Sequence, residues 1–88
     1  MERFNVVLEG KARREFARLH VDLRGRFYVA FQALAEDPYR PRSGCDIRKL
    51  SGKDEVWAVR VGGFRGVYAI DGDTIRFTTF QSGHRAYR

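Results

Sequence analysis

The chain has 88 residues, of which 43% are hydrophobic and 14% aromatic, so it can bury one small core and does not read as a disordered segment. Seventeen lysines and arginines against eleven acidic residues leave a net charge of +6, which favours a polyanionic partner such as nucleic acid or an acidic protein. The absence of a long apolar run argues against a membrane protein and a secretion signal, so we expect a single cytoplasmic domain over residues 1–88, with no membrane partner.

The first predicted elements are a short strand and a helix. Residues 4–9 (FNVVLE) suit the strand, and Gly10 ends it. Residues 11–19 have apolar side chains at helical spacing, with basic side chains on the opposite side. The predicted core side of this helix is formed by Ala12, Phe16 and Leu19, and its solvent side by Arg13, Arg14 and Arg18.

A second helix is predicted from an N-cap at Asp22 to about Ala35. Pro38 and Pro41 then close the helical region and open a loop. Residues 47–50 (IRKL) fit either a short strand or a turn. The core side of the second helix is formed by Leu23, Phe27, Ala30, Phe31 and Leu34.

Residues 56–80 predict three antiparallel strands joined by two tight turns. Gly62-Gly63 and Gly72-Asp73 each fit a two-residue hairpin loop. The first turn sets the pairs Val61–Phe64, Arg60–Arg65, Val59–Gly66 and Trp57–Tyr68. The second turn sets the pairs Ile70–Ile75, Ala69–Arg76, Tyr68–Phe77, Val67–Thr78 and Arg65–Phe80. Read independently, the two turns agree on one apolar face and one basic face.

These elements predict an α+β fold in the order β-α-α-β-β-β. Two N-terminal helices are expected to pack on one face of a small, mainly antiparallel sheet, over Trp57, Tyr68 and Phe77. Arg60 and Arg65 lie side by side on the other face, where like charges cost up to roughly 1 kcal/mol. Folding gives no reason for that cost, so we expect a functional role in which an anion is held between the two arginines.

The C-terminal residues FQSGHRAYR add more groups of the same kind. The tail is expected to leave the sheet near the Gly62-Gly63 turn and to fold back beside the paired arginines. Cations can hold a phosphate while a histidine or tyrosine transfers protons, which suits phosphodiester chemistry. No acidic metal-binding set is evident, so we expect neither a metal nor a cofactor. The 2′-hydroxyl of RNA can be the nucleophile, which removes the need for one from the protein. The tail contributes His84, Arg85, Tyr87 and Arg88.

The cysteine and histidine content supports this expectation. Cys45 is the single cysteine, so it cannot form an internal disulfide, which fits a reducing cytosol. We expect its thiol to be inert, because the surrounding segment RPRSGCDI contains no obvious base. His20 and His84 are far apart in sequence and form no metal-ligand spacing.

Residues 48–88 resemble the C-terminal half of the RelE/ParE superfamily of type II toxins. The resemblance rests on KL-x-G, then W-x-V-R-V-G-x-F-R-x-x-Y-x-I, then GHR with a tyrosine near the end. The preceding strand and two helices match the family's order. The resemblance to the RelE branch implies a metal-independent endoribonuclease that cuts messenger RNA on the ribosome. The resemblance also implies a partner, a cognate antitoxin protein.

The resemblance implies specific roles for residues of this chain. Phosphate binding and transition-state stabilisation fall to Arg60, Arg65 and Arg85, and proton transfer falls to His84 or Tyr87. Four more basic residues are candidates for RNA contact, namely Lys49, Lys53, Arg76 and Arg88.

Three functions from different classes stay open. The first is a ribosome-dependent mRNA endonuclease, and the second is a ParE-like, non-enzymatic inhibitor of DNA gyrase. The third is an inactive toxin fold that only binds an antitoxin or RNA. The basic cluster favours the first, since gyrase-inhibiting members typically lack it. The third is kept open because Ala58 stands where active members often carry a basic residue and Ser51 where some carry arginine, and because the sequence stops at Arg88, which leaves no room for a C-terminal helix.

Overall fold

The computed structural model describes residues 3–50 and 55–82. The chain forms β1 (Asn5–Leu8), α1 (Gly10–Ala17), α2 (Val21–Glu36), β2 (Asp46–Lys49), β3 (Val56–Val61), β4 (Phe64–Asp71) and β5 (Thr74–Ser82). The sheet has the order β1-β5-β4-β3-β2, in which the β1–β5 pair is parallel and the others are antiparallel. The predicted α+β class is confirmed. The segment IRKL contributes to a strand, β2, which brings the sheet to five strands.

The two helices cover one face of the sheet through aromatic side chains. Phe16 of α1 lies with its ring centroid 5.1 Å from that of Phe80, and Phe31 of α2 lies 5.0 Å from Phe77. Phe27 of α2 also contacts Phe80, at 5.1 Å. All five rings are buried, and burial of each contributes about 1.5–3 kcal/mol. The predicted core sides of both helices are therefore confirmed. No helix in the described part of the chain is long and apolar enough to cross a membrane.

Helix α2 begins at Val21, and its N-cap is His20 rather than the predicted Asp22. The imidazole Nδ1 of His20 accepts a hydrogen bond from the backbone N–H of Asp22 at 3.2 Å. This nitrogen satisfies a free N–H of the first turn, as a carboxylate at the cap would do. The carboxylate of Asp22 lies within the first turn, where the helix dipole favours negative charge.

The register between β3 and β4 is the predicted one, but β5 contains a β-bulge that the turn does not reveal. The pairs nearest the Gly72-Asp73 turn are confirmed, as far as Tyr68 with Phe77. Beyond them the register shifts by one residue, because Thr78 is extra on β5 and its hydroxyl donates to the carbonyl of Val67 at 3.4 Å. The predicted pairs Val67–Thr78 and Arg65–Phe80 are wrong. The observed pairs are Val67–Thr79, Gly66–Phe80 and Arg65–Gln81.

The bulge allows two phenylalanines three residues apart to face the helices together. Strict alternation would place Phe80 on the face opposite Phe77, exposed to solvent. With the bulge both side chains are buried, and their rings stack at 5.2 Å with an interplanar angle of 7°. Gly66 lies opposite Phe80, and a Cβ at this position would lie 2.8 Å from each ring. The missing side chain of Gly66 therefore makes room for the stacked pair.

Helix α1 binds the edge of β5 beyond the point where its pairing with β1 ends. The Oε1 atom of Glu15 accepts hydrogen bonds from the backbone N–H of Phe80 at 2.9 Å and from the hydroxyl of Thr79 at 2.8 Å. The ammonium of Lys11 lies 3.2 Å from the same carboxylate. Partial burial alone would raise the pKa of Glu15, but these contacts together outweigh it and hold the pKa below the ordinary value of 4.5.

The substitution Gly66→Ala is expected to lower the free energy of unfolding by about 1–3 kcal/mol, because the two buried rings would have to move. Gly25→Ala is the matched control, since nothing lies within 4 Å of a Cβ at this exposed helical position. It should instead raise the free energy of unfolding by up to about 1 kcal/mol. Urea denaturation measures both, and an unchanged midpoint for Gly66→Ala would contradict the packing.

Glu15→Gln is expected to lower the free energy of unfolding by about 1 kcal/mol at pH 7, because hydrogen bonds to a charged acceptor are stronger than those to an amide. The pKa of Glu15 is lower in the folded state, so the contribution of the carboxylate is fully present above about pH 4.5. It is lost as the pH falls through the folded-state pKa. Urea denaturation of both proteins between pH 7 and pH 3 should show the difference shrinking, and a constant difference would contradict this role.

Candidate nucleic-acid interface

The face of the sheet away from the helices, called the outer face below, carries a row of four polar side chains. Cross-strand partners point to the same side of a sheet. The register pairs Asp46 with Arg60, Arg60 with Arg65, and Arg65 with Gln81, so the row crosses β2, β3, β4 and β5. We call Asp46, Arg60, Arg65 and Gln81 the polar row. It lies beside the turn between β3 and β4.

That turn fixes the position of the two arginines. Gly62 has a φ of 61°, in the left-handed region that favours glycine, as a two-residue hairpin loop requires. Val61 then pairs with Phe64, and both pack against the core. The next pair is Arg60 with Arg65, which must therefore project from the outer face. The predicted juxtaposition of the two arginines is confirmed.

Arg65 is held in place, but the described residues do not satisfy its guanidinium. Its Nη2 donates to Oε1 of Gln81 at 3.3 Å. Its Nε is buried and has no hydrogen-bond partner among residues 3–50 and 55–82. A buried N–H without an acceptor costs about 1–3 kcal/mol. An anion held between Arg65 and Arg60 would reduce the repulsion between them.

Arg60 has a weak counter-ion within the row. Its Nε lies 3.7 Å from Oδ2 of Asp46, and both side chains are about half exposed, at 45% and 60%. An exposed ion pair of this kind contributes no more than about 1 kcal/mol. A phosphate can therefore displace Asp46 from Arg60 at small cost.

The structure does not bring two of the other predicted RNA contacts to the polar row. Lys49 pairs with Trp57, and its ammonium lies 5.5 Å from the centroid of that ring, on the helix side of the sheet. Arg76 is on the outer face, but it pairs with Ala69, four residues and about 13 Å along β4 from Arg65. Its guanidinium forms ion pairs with two carboxylates, Glu9 at 3.3 Å and Asp71 at 2.8 Å.

The remaining predicted site residues lie outside the described part of the chain. They are Lys53, His84, Arg85, Tyr87 and Arg88. The last residue of β5, Ser82, pairs with Phe64, directly after the Gly62-Gly63 turn. The described part of β5 therefore ends beside the polar row, and the predicted fold-back of the tail lies outside the described residues.

Next to the two arginines, the described part of the chain places the carboxylate of Asp46, 3.7 Å from Nε of Arg60, but neither Tyr68 nor Cys45 is available for proton transfer there. Tyr68 is fully buried and its hydroxyl donates to the carbonyl of Pro38 at 2.9 Å, and burial raises its pKa far above the usual value. Burial likewise raises the pKa of the Cys45 thiol, in keeping with the inert role expected for it. Within the described ranges, no three histidine, cysteine or acidic side chains are grouped to hold a metal ion.

Sequence reasoning missed three residues of the outer face. Asp46 and Arg48 alternate with the buried Ile47, which is a strand signal, but no two-residue turn links β2 to β3 and sets their register. Gln81 comes to lie opposite Arg65 only because of the bulge at Thr78.

An open groove of about 340 Å³ leads from the polar row to α2. Its lining includes Arg60 and Asp46 at one side and Arg26 and Val29 of α2 at the other. Val29 is 64% exposed and belongs to a set of large apolar side chains that α2 leaves in solvent, together with Val21 and Tyr28. The groove thus joins a basic surface to an apolar one.

The chain is similar to known toxins in sequence and in structure. No protein-family model matches it. A curated protein of Methanocaldococcus jannaschii named "Putative toxin RelE1" is 31% identical over 68 residues, which cover 77% of this chain and 74% of that protein.

Three solved structures have the same fold. The crystal structure of the archaeal RelE–RelB complex from Pyrococcus horikoshii OT3 contains a chain with a TM-score of 0.79, 21% identity, and coverage of 93% of this chain and 97% of that one. The RelB–RelE antitoxin–toxin complex from Methanococcus jannaschii contains a chain with a TM-score of 0.74 and 18% identity, and the match covers 92% of this chain and 94% of that one. The toxin–antitoxin complex RelBE2 from Mycobacterium tuberculosis contains a chain with a TM-score of 0.75 and 22% identity, and the match covers 93% of each chain. From its curated relative and its fold, the chain belongs to the RelE family of toxins, within the RelE/ParE superfamily.

Proposed function

We propose that the protein is a metal-independent endoribonuclease that cuts messenger RNA on the ribosome, in the cytoplasm, as the toxin of a toxin–antitoxin pair. The observation that carries the proposal is the pairing of Arg60 with Arg65 on the outer face, where the Nε of Arg65 is buried without an acceptor among the described residues. A phosphate between the two guanidinium groups would offset their mutual repulsion.

The proposed reaction is a transesterification within the RNA. The 2′-oxygen forms a bond to the adjacent phosphorus and the bond from phosphorus to the 5′-oxygen breaks. The products carry a 2′,3′-cyclic phosphate and a 5′-hydroxyl. Negative charge grows on the non-bridging oxygens in the transition state, and Arg60, Arg65 and Arg85 are assigned to stabilise it. His84 or Tyr87 is assigned to transfer the proton from the 2′-hydroxyl or to the leaving oxygen.

We infer dependence on the ribosome from the place of the polar row. It lies on the face of the sheet away from the helices, and its described residues offer charge but few constraints on the conformation of a flexible RNA. In-line attack by the 2′-oxygen needs a defined geometry of the reacting atoms. We assign that task to the ribosome, which holds the message while the toxin supplies the charges.

One alternative has an observation in its favour. Ala58 lies on the outer face at a position where active relatives often carry a basic residue, and it is 2% exposed. A toxin fold that binds antitoxin or RNA without cutting would tolerate this loss of charge. Measurement of cleavage, rather than of binding, separates the two functions.

The RelB complexes among the structural neighbours support a partner for this chain. We propose a cognate antitoxin whose contact segment is acidic where it covers Arg60, Arg65 and Arg85. Apolar side chains of the same protein would contact Val29 and its exposed neighbours on α2. The groove between these two surfaces allows one continuous segment to cover both.

Arg65→Ala and Arg85→Ala are each expected to reduce single-turnover cleavage of ribosome-bound message at least tenfold. Removal of one donor to a developing oxyanion commonly costs about 10²–10³ in rate. Arg13→Ala is the control, because this exposed arginine lies on α1 and not on the outer face. Melting temperatures check that the variants fold. Cleavage at the wild-type rate by both variants would end the catalytic role of this face.

The antitoxin, purified from the neighbouring gene, is expected to associate with this protein at a rate that falls markedly as salt is raised, since opposite charges steer the encounter. Arg65→Glu should slow association, while Val29→Ser should mainly speed dissociation because it removes an apolar contact. Stopped-flow and surface-binding kinetics measure both rates. A tight complex with a salt-independent association rate, and with the polar row still open to RNA, would contradict the proposed arrangement.

A further inference from the structure

We propose that Arg48 is a further phosphate-binding residue, which holds the RNA phosphate next to the one bound between Arg60 and Arg65. The identity of the ligand rests on the proposed function. The placement of the residue rests on the sheet itself.

The register of β2 brings Arg48 to the outer face. Ile47 pairs with Val59, and both are buried under the helices. Successive side chains of a strand point to opposite faces, so Arg48 projects from the other side of the sheet, where it pairs with Ala58. Its side chain is exposed.

The cross-strand partner of Arg48 on β3 is Ala58, which carries no charge. Ala58 faces away from the helices and is 2% exposed. Its cross-strand neighbours are Arg48 and Val67, and Arg60 lies two residues along the same strand. Ala58 carries no charge, so a cation on this part of the outer face has to come from a neighbouring strand. The backbones of diagonal neighbours such as Arg48 and Arg60 are about 7–8 Å apart. Two arginine side chains at this separation can reach adjacent phosphates of one RNA strand.

The charges around these residues support the same role. Arg60 has Asp46 within 4 Å and Arg76 has two carboxylates, whereas no carboxylate of residues 3–50 and 55–82 forms an ion pair with Arg48. The outer face therefore presents a short line of cations from Arg65 through Arg60 to Arg48. A single RNA strand laid along this line would place successive phosphates against successive guanidinium groups. Arg48 thus supplies, from the neighbouring strand, a charge that residue 58 does not.

The test uses the full-length protein and a single-stranded RNA oligonucleotide with 2′-O-methyl groups, which cannot be cleaved by its own 2′-oxygen. Binding is measured by fluorescence anisotropy over a range of salt concentrations. Each phosphate contact to a single strand contributes about 0.7 to the slope of log K against log salt. Arg48→Ala should reduce the slope by about this amount. Lys49→Ala is the matched control, adjacent in sequence and equal in charge but on the helix side, and should leave the slope unchanged.

A second variant keeps the test decisive. Arg48→Lys keeps a cation at the same exposed position and should retain the wild-type slope. The side chain of residue 48 is exposed, so the melting temperatures of both variants should stay close to that of the wild type. A wild-type protein that does not bind the oligonucleotide, or an Arg48→Ala slope equal to that of the wild type, would overturn the inference.

The outcome separates this inference from the proposed function. If the slope depends on Arg48 while the wild-type protein leaves ribosome-bound message intact, the phosphate contact stands and the nuclease proposal fails. If the wild-type protein cleaves and Arg48→Ala changes neither the slope nor the rate, the nuclease proposal stands and the role of Arg48 fails.

Discussion

The burial of Phe77 and Phe80 on the same face of β5 is the constraint from which much of the structure follows. The two residues are three positions apart, a spacing that regular alternation would place on opposite faces, so β5 must contain the bulge at Thr78. The bulge makes Gly66 necessary opposite the rings, and Glu15 accepts a hydrogen bond from the backbone N–H of Phe80. The same one-residue shift places a glutamine, rather than a phenylalanine, beside Arg65.

The sheet separates the needs of folding from those of function by its two faces. The helices and the aromatic core occupy one face, and there the described side chains are packed against one another. On the outer face, Arg60 and Arg65 repel each other, which destabilises the fold. Among the described residues they have only a weak ion pair with Asp46 and an Nε without a hydrogen-bond partner. An anion bound to this surface would reduce the repulsion between its cations. We propose that RNA and an acidic antitoxin segment compete for this same surface. Neutralisation of the toxin and binding of its substrate would then be mutually exclusive.

The sequence predicted those parts of the fold that depend on local signals. Two glycine-containing turns set the register of β3 with β4 and the first pairs of β4 with β5, and helical spacing identified the core aromatics. The bulge was not predicted because it depends on the packing of Phe80 against residues that are distant in sequence. The register of β2 was not predicted because a longer connection, rather than a tight turn, joins β2 to β3. For the same reason, Arg48 was not recognised as a residue of the outer face. Helix α2 is capped by His20, a residue that ordinary cap preferences do not favour.

The central claim is that the outer face serves to cut messenger RNA on the ribosome. Its most direct test adds the purified protein to a translating extract and maps the 5′ ends of the message by primer extension. The account predicts new ends within the translated coding region, formed without added metal beyond that which the ribosome needs, and absent when the same message is incubated with the protein but without ribosomes. A message that remains intact while it is translated, or one that is cut equally well without ribosomes, would contradict it.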